Sequence, residues 1–144
     1  MIQIPNYLEK LDDNISICNV SSFLEESRKK ARLTYADISR LTGFWQDHYR
    51  QRLKKSSFTI KFLKDFQRQV DSTIFEKIYA SPDLILTART RKVRLPTIVT
   101  KDLAYFFGYL QGDGCLTSDK KGICFADEYF DQIEKINCLS ETMF

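Results

Sequence analysis

One carboxylate, Asp113, has a setting in which a divalent metal ion could bind. It stands between two glycines, and the residues before it have the spacing of a helix. Where a helix ends, carbonyl oxygens are left without partners and the helix dipole is negative. Carboxylate and carbonyl oxygens are the ligands that hard cations such as Mg²⁺ prefer. Asp113 is therefore a candidate metal ligand.

The helix that would position Asp113 is predicted to begin after Thr100, whose hydroxyl can cap its first turn. Ala104, Gly108 and Gly112 recur every fourth residue and form one stripe of small side chains. Glycine inside a helix costs about 1 kcal/mol relative to alanine. The stripe therefore predicts an interface in which a second helix approaches closely.

Gly114 suits the left-handed conformation that commonly ends a helix. Spacing alone leaves a second interpretation open. An amphipathic core helix that ends in an ordinary Asp-Gly turn would show the same short pattern.

Residues 106–114 (FFGYLQGDG) resemble the signature helix of the LAGLIDADG homing endonucleases, and residues 95–96 and 100–104 are similar to its usual lead-in. In that family two such helices pack together, and the acid before the last glycine reaches the scissile phosphates through metal. The resemblance implies that Asp113 is catalytic and binds Mg²⁺ or another divalent cation, with the Gly112 carbonyl as a second ligand. Gln111 departs mildly, since the family often has an acid there.

A β-hairpin is predicted over residues 115–118 and 123–126, and the acids at 127–128 predict the start of another helix. Helix, hairpin and helix open the LAGLIDADG fold, in which the hairpin faces DNA. The resemblance implies that Thr117, Lys120 and Lys121 contact DNA; a structural hairpin with a solvated loop is the alternative. The family fold continues further, so we expect either a truncated domain or a protein that uses only part of that fold. An active endonuclease would need missing sequence or a partner chain to complete the fold. A homodimer through Ala104, Gly108 and Gly112 is one such arrangement.

Charge is distributed unevenly along the chain. The net charge is +3, but residues 21–70 hold 12 basic and 5 acidic side chains. Residues 89–101 hold 5 basic and no acidic side chains, whereas residues 102–144 hold 3 basic and 8 acidic ones. The middle of the chain is therefore the part suited to a polyanion such as double-stranded DNA.

Residues 21–70 predict a bundle of short helices. Ser21 or Ser22 would cap the first, Thr34 the second, and Thr59 a fourth. The turn at residues 42–43 precedes a third helix, predicted over residues 44–53. Helix, glycine turn and helix form the helix-turn-helix pattern, whose second helix enters the major groove.

The third helix would face outward with side chains suited to base edges and phosphates. These candidate DNA contacts are Trp45, Gln46, Asp47, His48, Arg50, Gln51, Lys54 and Lys55. Residues 27–43 (SRKKARLTYADISRLTG) resemble the phage-repressor (Xre-type) helix-turn-helix family. Tyr35 stands where that family commonly has glutamine, and its hydroxyl could make the phosphate contact instead. A basic helical bundle with a solvated face is the alternative.

The sequences of the remaining segments give less specific predictions of structure. Residues 1–20 are interpreted as an N-terminal extension and residues 71–98 as a basic linker, with a strand over 73–79. The segment 89–96 would track a phosphate backbone or be an exposed tether. Residues 99–144 form the partial endonuclease-like domain, so the expected fold class is α+β, with an all-α bundle followed by a helix–hairpin–helix unit.

Composition narrows the class of protein. The first residues lack the pattern of a signal peptide, and no apolar run approaches the ~20 residues that cross a bilayer. The four cysteines show no zinc spacing, so reduced thiols and a cytoplasmic, nucleoid-associated protein without a membrane partner are expected. Three interpretations remain. Two would bind DNA: a site-specific DNA endonuclease, and a helix-turn-helix transcriptional regulator whose endonuclease-like part is inactive. The third is a degenerate fragment without activity.

Overall fold

A computed structural model describes residues 2–81, 84–88, 91–118 and 122–144. The chain divides into two compact units. The N-terminal unit is Pro5–Leu95, and the C-terminal unit joins Met1–Ile4 to Pro96–Phe144. Helices and strands are both present, which confirms the α+β class.

The elements of the N-terminal unit follow β1 (Ile2–Gln3), which belongs to the C-terminal unit. In chain order they are a 3-10 helix (Leu8–Lys10), β2 (Ser16–Cys18), α1 (Ser21–Lys30), α2 (Tyr35–Thr42), α3 (Gln46–Lys55), β3 (Ser57–Thr59), α4 (Ile60–Gln69), α5 (Ile74–Tyr79), β4 (Ile85–Ala88) and β5 (Arg91–Arg94). The C-terminal unit continues with β6 (Ile98–Val99), α6 (Lys101–Asp113), β7 (Gly114–Leu116), β8 (Ile123–Phe125) and α7 (Phe130–Met143).

An antiparallel sheet in the order β3-β2-β4-β5 accompanies the helices of the N-terminal unit. Ile17 of β2 stands opposite Phe58 of β3 on one side and Leu86 of β4 on the other. The prediction of an all-α bundle is therefore wrong. The residues interpreted as an extension and a linker supply three of the four strands.

The core of the N-terminal unit lies between this sheet and the helices. Its fully buried side chains come from the 3-10 helix, from the strands and from α1 to α5, and the largest are Tyr49, Phe58, Phe66 and Phe75. Aromatic rings carry much of the packing, with Phe62 lying 4.8 Å from Phe58 and 5.9 Å from Phe66 between ring centroids. This core fixes α2 and α3 on the unit.

Local signals predicted several helix boundaries correctly. Thr34 caps α2 in a capping box with Asp37, whose backbone N–H lies 3.2 Å from the Thr34 hydroxyl oxygen. Gly43 ends α2 with φ of 69°, and Thr59 caps α4 through the N–H of Phe62. The predicted glycine turn and both threonine caps are confirmed.

Other local predictions are wrong. Neither Ser21 nor Ser22 caps α1: Val20 is the N-cap residue, and the Ser21 hydroxyl donates to the carbonyl of Leu53 at 2.8 Å. Phe44 precedes α3, which begins at Gln46 and extends two residues past Leu53 to Lys55. The strand predicted over residues 73–79 is the helix α5, whose Ile74, Phe75, Ile78 and Tyr79 are buried with helical spacing.

A charged cluster links α1 to the segment around α5. The Asp71 carboxylate accepts hydrogen bonds from the hydroxyl of the buried Ser27, from Lys77 Nζ at 2.5 Å, and from the hydroxyl of Thr73 at 2.8 Å. Burial would raise the pKa of Asp71, but these hydrogen bonds and the Lys77 ammonium lower it far below its ordinary value. The charged carboxylate therefore stabilises the folded state.

Asp71→Asn is expected to lower the free energy of unfolding at neutral pH by about 2 kcal/mol, because Lys77 loses its charged partner. A carboxylate with a lowered folded pKa stabilises above its unfolded pKa, about 4, and loses that contribution as the pH falls through the folded value. Urea unfolding as a function of pH should show a shallower loss of stability below about pH 4 in the variant. Glu76→Gln, at an exposed site on α5, is the control. Equal acid sensitivity in wild type and Asp71→Asn would contradict this role.

The C-terminal unit packs α6 against α7 beside the β7–β8 hairpin. Leu103, Phe106 and Ile136 are its buried hydrophobic residues within the described part of the chain. Phe106 lies 6.0 Å from Phe125 of β8 and 5.6 Å from Phe144 between ring centroids. Short strands β1 and β6 pair antiparallel at the beginning of the unit.

Several sequence predictions concern this unit. Thr100 caps α6 through the N–H of Leu103 at 3.1 Å, and α6 ends at Asp113, as expected. The hairpin is confirmed, with Cys115 opposite Cys124. The second helix begins at Phe130 rather than at residues 127–128, and the Phe130 ring is 72% exposed.

Gly114 is not left-handed, contrary to the prediction: its φ is −95° and its ψ 154°, and it begins β7 directly. Its importance is steric. A Cβ atom there would lie 2.6 Å from the Leu110 carbonyl oxygen and 2.9 Å from Leu110 Cα. The abrupt change from helix to strand therefore needs a residue without a side chain.

Gly114→Ala is expected to destabilise the C-terminal unit by about 1–3 kcal/mol, because backbone atoms of Leu110 must move to admit the methyl group. Gly108→Ala is the matched comparison, since its Cβ would meet nothing within 4 Å. Alanine inside a helix should stabilise α6 by about 0.5–1 kcal/mol. Hydrogen exchange of the α6 amides measures both effects. Equal protection in the two variants would contradict the steric account.

None of the described helices combines the length and the apolar composition needed to span a lipid bilayer.

Candidate functional site

The segment from α2 to α3 positions most of the side chains predicted to bind DNA. Three residues connect the helices, and Gly43 supplies the positive φ that turns the chain. Ile38 of α2 and Tyr49 of α3 are fully buried, so each helix directs one side into the core. Each helix also has exposed residues on its other side, more of them on α3 than on α2.

The solvent-facing side of α3 carries most of the predicted contact residues. Trp45 immediately before the helix is 83% exposed, and Gln46 is half-buried. The exposed side chains on the helix itself are Asp47, His48, Arg50, Gln51, Lys54 and Lys55. We call Trp45 and these seven α3 residues the α3 surface. The structure therefore places them together, as the spacing predicts.

Two contacts restrict side chains of the α3 surface. The His48 ring stacks on Phe44 with ring centroids 4.8 Å apart and an interplanar angle of 15°. Arg50 Nη1 lies 3.8 Å from the Asp47 carboxylate, at the outer limit of an ion pair between exposed groups. Such a pair contributes little, so Arg50 can exchange Asp47 for another partner at low cost.

Tyr35 is half-buried and more constrained than its predicted phosphate contact would suggest. Its hydroxyl donates to Glu25 Oε2 at 3.2 Å. The guanidinium carbons of Arg28 and Arg50 lie 4.4 Å and 5.3 Å from its ring centroid. Tyr35 therefore joins α2 to the neighbouring helices and holds Arg50 of the α3 surface by a cation–π contact.

Glu25 is the centre of a polar network that Tyr35 completes. Arg28 donates to both of its carboxylate oxygens, at 3.0 Å and 2.8 Å, and also to the carbonyl of Leu33 at 2.6 Å. Burial would raise the pKa of Glu25, but Arg28 and the Tyr35 hydroxyl lower it overall. Glu25 and Arg28 are neighbours on α1, whereas Tyr35 belongs to α2. Sequence reasoning missed the network because the contact of Tyr35 with this pair depends on how the two helices pack.

In the C-terminal unit, Asp113 is the last residue of α6 and its side chain is exposed. Its backbone carbonyl accepts a long hydrogen bond, 3.4 Å, from the N–H of Ala126. Gly114 donates its N–H to the carbonyl of Leu110. Asp113 therefore occupies the helix end that the sequence predicts, with its carboxylate open to solvent.

A second carboxylate lies near this end of the helix. Tyr109 of α6 donates its hydroxyl to Asp127, and this hydrogen bond together with the charges of Asp127 and Asp113 raises the pKa of Tyr109 to about 12. The same hydrogen bond and the N–H groups of Tyr129 and Glu128 lower the pKa of Asp127. Sequence reasoning placed Asp127 in a helix and missed this position. Its partner, Tyr109, lies 18 residues away in the chain.

Donors for a metal ion are few here. Among the described residues no group of three or more histidine, cysteine, aspartate or glutamate side chains could hold an ion. A magnesium ion keeps several waters and often binds through one or two carboxylates together with substrate phosphates. Asp113 and the Gly112 carbonyl fit that mode only as part of a larger site.

The stripe of small residues on α6 is open. Ala104, Gly108 and Gly112 are all exposed, and a Cβ at either glycine would meet nothing within 4 Å. Phe107 on the same helix is 49% exposed. An apolar groove of about 520 Å³ between α6, β8 and the end of α7 is lined by Phe106, Phe107, Leu110, Ile123 and Phe144, with Ser140 and Glu141.

The hairpin residues predicted to contact DNA are only partly described. The N–H of Thr117 donates to the carbonyl of Gly122 at 2.9 Å, and its hydroxyl accepts the Gly122 N–H at 2.9 Å. The Thr117 side chain therefore closes the hairpin loop. Lys120 and Lys121 lie outside the described residues.

No family model, curated protein or solved structure matches the chain.

Proposed function

We propose that the protein binds double-stranded DNA by placing α3 in the major groove. The α3 surface is the observation that carries this proposal. It combines exposed cations with exposed amide, imidazole and indole groups on, or directly before, the second of two helices that a three-residue turn connects. Phosphate neutralisation and base-edge recognition need both kinds of side chain.

The two kinds of side chain divide along α3. Base contacts are expected from the N-terminal half of α3, residues 46–51, because the N-terminal part of a recognition helix reaches the base edges. Arginine pairs with guanine and glutamine with adenine, which suits Arg50, Gln46 and Gln51. Lys54 and Lys55, at the far end of the helix, would contact phosphates.

Selection from a pool of random duplexes tests this proposal. Repeated binding, recovery and amplification should enrich one motif, and that motif should bind at least 10³-fold more tightly than random duplex at physiological salt, as sequence-specific proteins typically do. An unenriched pool and micromolar binding to every duplex would show that the α3 surface binds DNA without sequence specificity and would contradict base recognition by α3.

A second candidate function is Mg²⁺-dependent hydrolysis of DNA. Its support is the position of Asp113 at the end of a helix whose small-residue face is uncovered. A second α6 could pack on Ala104, Gly108 and Gly112 and bring a second Asp113 close to the first. Two such carboxylates and the DNA phosphates would supply the oxygen ligands that one chain lacks.

In this second function Asp113 would hold the metal ion and the Gly112 carbonyl would support it. A bound divalent ion lowers the pKa of the attacking water and offsets negative charge at the phosphate. The regulator hypothesis differs only in the C-terminal unit, which would then be an inactive interaction module. Nicking of supercoiled plasmid in Mg²⁺, abolished by EDTA, separates the two functions.

A further inference from the structure

Trp45 is the only tryptophan of the chain and is 83% exposed. An indole carries one of the largest apolar side-chain surfaces, and water covers most of this one. Scattered exposed apolar residues are common in proteins, so exposure alone identifies nothing. The exposure of Trp45 is informative because the backbone around it is held in one position.

The backbone on both sides of Trp45 is fixed. Phe44 packs on Phe62 with ring centroids 4.9 Å apart. The Trp45 carbonyl accepts the N–H of the buried Tyr49 at 2.8 Å. The turn therefore holds the indole outward at the beginning of α3, next to the polar residues proposed to read bases.

We propose that Trp45 contacts the C5-methyl group of thymine in the major groove, an inference that rests on the proposed DNA binding. Major-groove base edges are otherwise sets of hydrogen-bond donors and acceptors, and the thymine methyl is their apolar feature. An indole offers a broad apolar face to such a group and one donor at its rim. Trp45 would therefore give the protein a preference for thymine at one position through an apolar contact, which the hydrogen-bonding groups of arginine and glutamine do not make.

The experiment compares two pairs of alternating duplexes. The members of each pair differ only in the C5-methyl group of the pyrimidine: dA-dU and dA-dT in one pair, dG-dC and dG with 5-methyl-dC in the other. The whole chain is titrated with each, and anisotropy of a labelled duplex gives the affinity. Indole emission reports Trp45 alone, since the chain has no other tryptophan. Trp45→Ser and Trp45→Phe are measured beside the wild type, with circular dichroism to check that both fold.

The wild type should bind dA-dT about fourfold more tightly than dA-dU for each methyl contacted, with a similar gain from methylating dC. Trp45→Ser should bind each methylated duplex and its unmethylated counterpart equally, and Trp45→Phe should keep part of the difference. Indole emission should change on binding to dA-dT. Tight binding with equal affinities for dA-dT and dA-dU and unchanged emission would overturn the inference alone and assign the indole to another partner, such as a protein. Absence of binding to every duplex would overturn the proposed function and this inference with it.

Discussion

Replacing Lys54 and Lys55 together by glutamine is expected to weaken binding to duplex DNA about 50-fold at about 0.1 M salt. Each phosphate contact adds about 0.9 to the slope of log affinity against log salt concentration. Loss of two contacts should therefore make that slope shallower by about 1.8. Both side chains are exposed at the C-terminal end of α3, so the substitutions should leave the fold intact. Fluorescence anisotropy over a range of salt concentrations measures both quantities.

Lys10→Gln with Arg68→Gln is the matched control. It removes the same charge from exposed positions on the 3-10 helix and α4. Long-range attraction alone would lower affinity equally in the two double variants, whereas contact with phosphate lowers it mainly in the α3 variant. Equal salt slopes in the two variants would show that the end of α3 does not contact DNA.

Asp113→Asn is expected to abolish Mg²⁺-dependent plasmid nicking while leaving duplex affinity within about twofold of wild type. Asparagine keeps the shape of the side chain but loses the charge that holds a divalent cation. Because catalysis by a bound ion depends on its position and charge, the expected loss reaches the background rate. Gel analysis of supercoiled plasmid, with anisotropy in parallel, gives the two readouts.

Asp102→Asn provides the control for Asp113→Asn, because Asp102 is an exposed carboxylate in the first turn of the same helix. It should nick at the wild-type rate. Loss of DNA binding by Asp113→Asn with unchanged residual nicking would contradict a metal-binding role. Binding without nicking by the wild type would favour the regulator.

The features that the sequence predicted correctly depend on neighbours a few residues apart. Thr34 reaches the N–H of Asp37 within one turn, and Gly43 takes its positive φ through the conformational freedom of glycine. The end of α6 at Asp113 and the hairpin beyond it are equally local. Such features need no knowledge of the rest of the fold.

The incorrect predictions concern structure that depends on contacts between residues far apart in the chain. Ser21 has the chemistry of a helix cap, but its hydroxyl bonds to Leu53, 32 residues away. Strand β2 forms because β3 and β4 pair with it, and neither neighbour is visible in residues 16–18 themselves. The strand prediction for residues 73–79 is wrong because Ile74 and Ile78, four residues apart, are both buried in the assembled core, and that spacing suits a helix.

The candidate site follows the same division between local features, which the sequence predicted, and contacts between separate elements, which it did not. The α3 surface follows from the helical period once Tyr49 is taken as buried. The cation–π contacts of Tyr35 with Arg28 and Arg50 and the hydrogen bond from Tyr109 to Asp127 were not predicted, because they join separate elements. The position of Asp113 at the end of α6 was expected. A second carboxylate that completes a metal site would depend on how α6 packs against another helix, which the sequence of α6 does not specify.

Hydrogen–deuterium exchange of the whole chain, with and without the selected duplex, tests DNA binding by α3 most directly. We expect slower exchange in residues 44–56, with little change in α4 and α5, whose apolar sides are buried in the core. Unchanged exchange in residues 44–56 at a saturating concentration of duplex, or protection confined to other segments, would contradict the proposed binding mode.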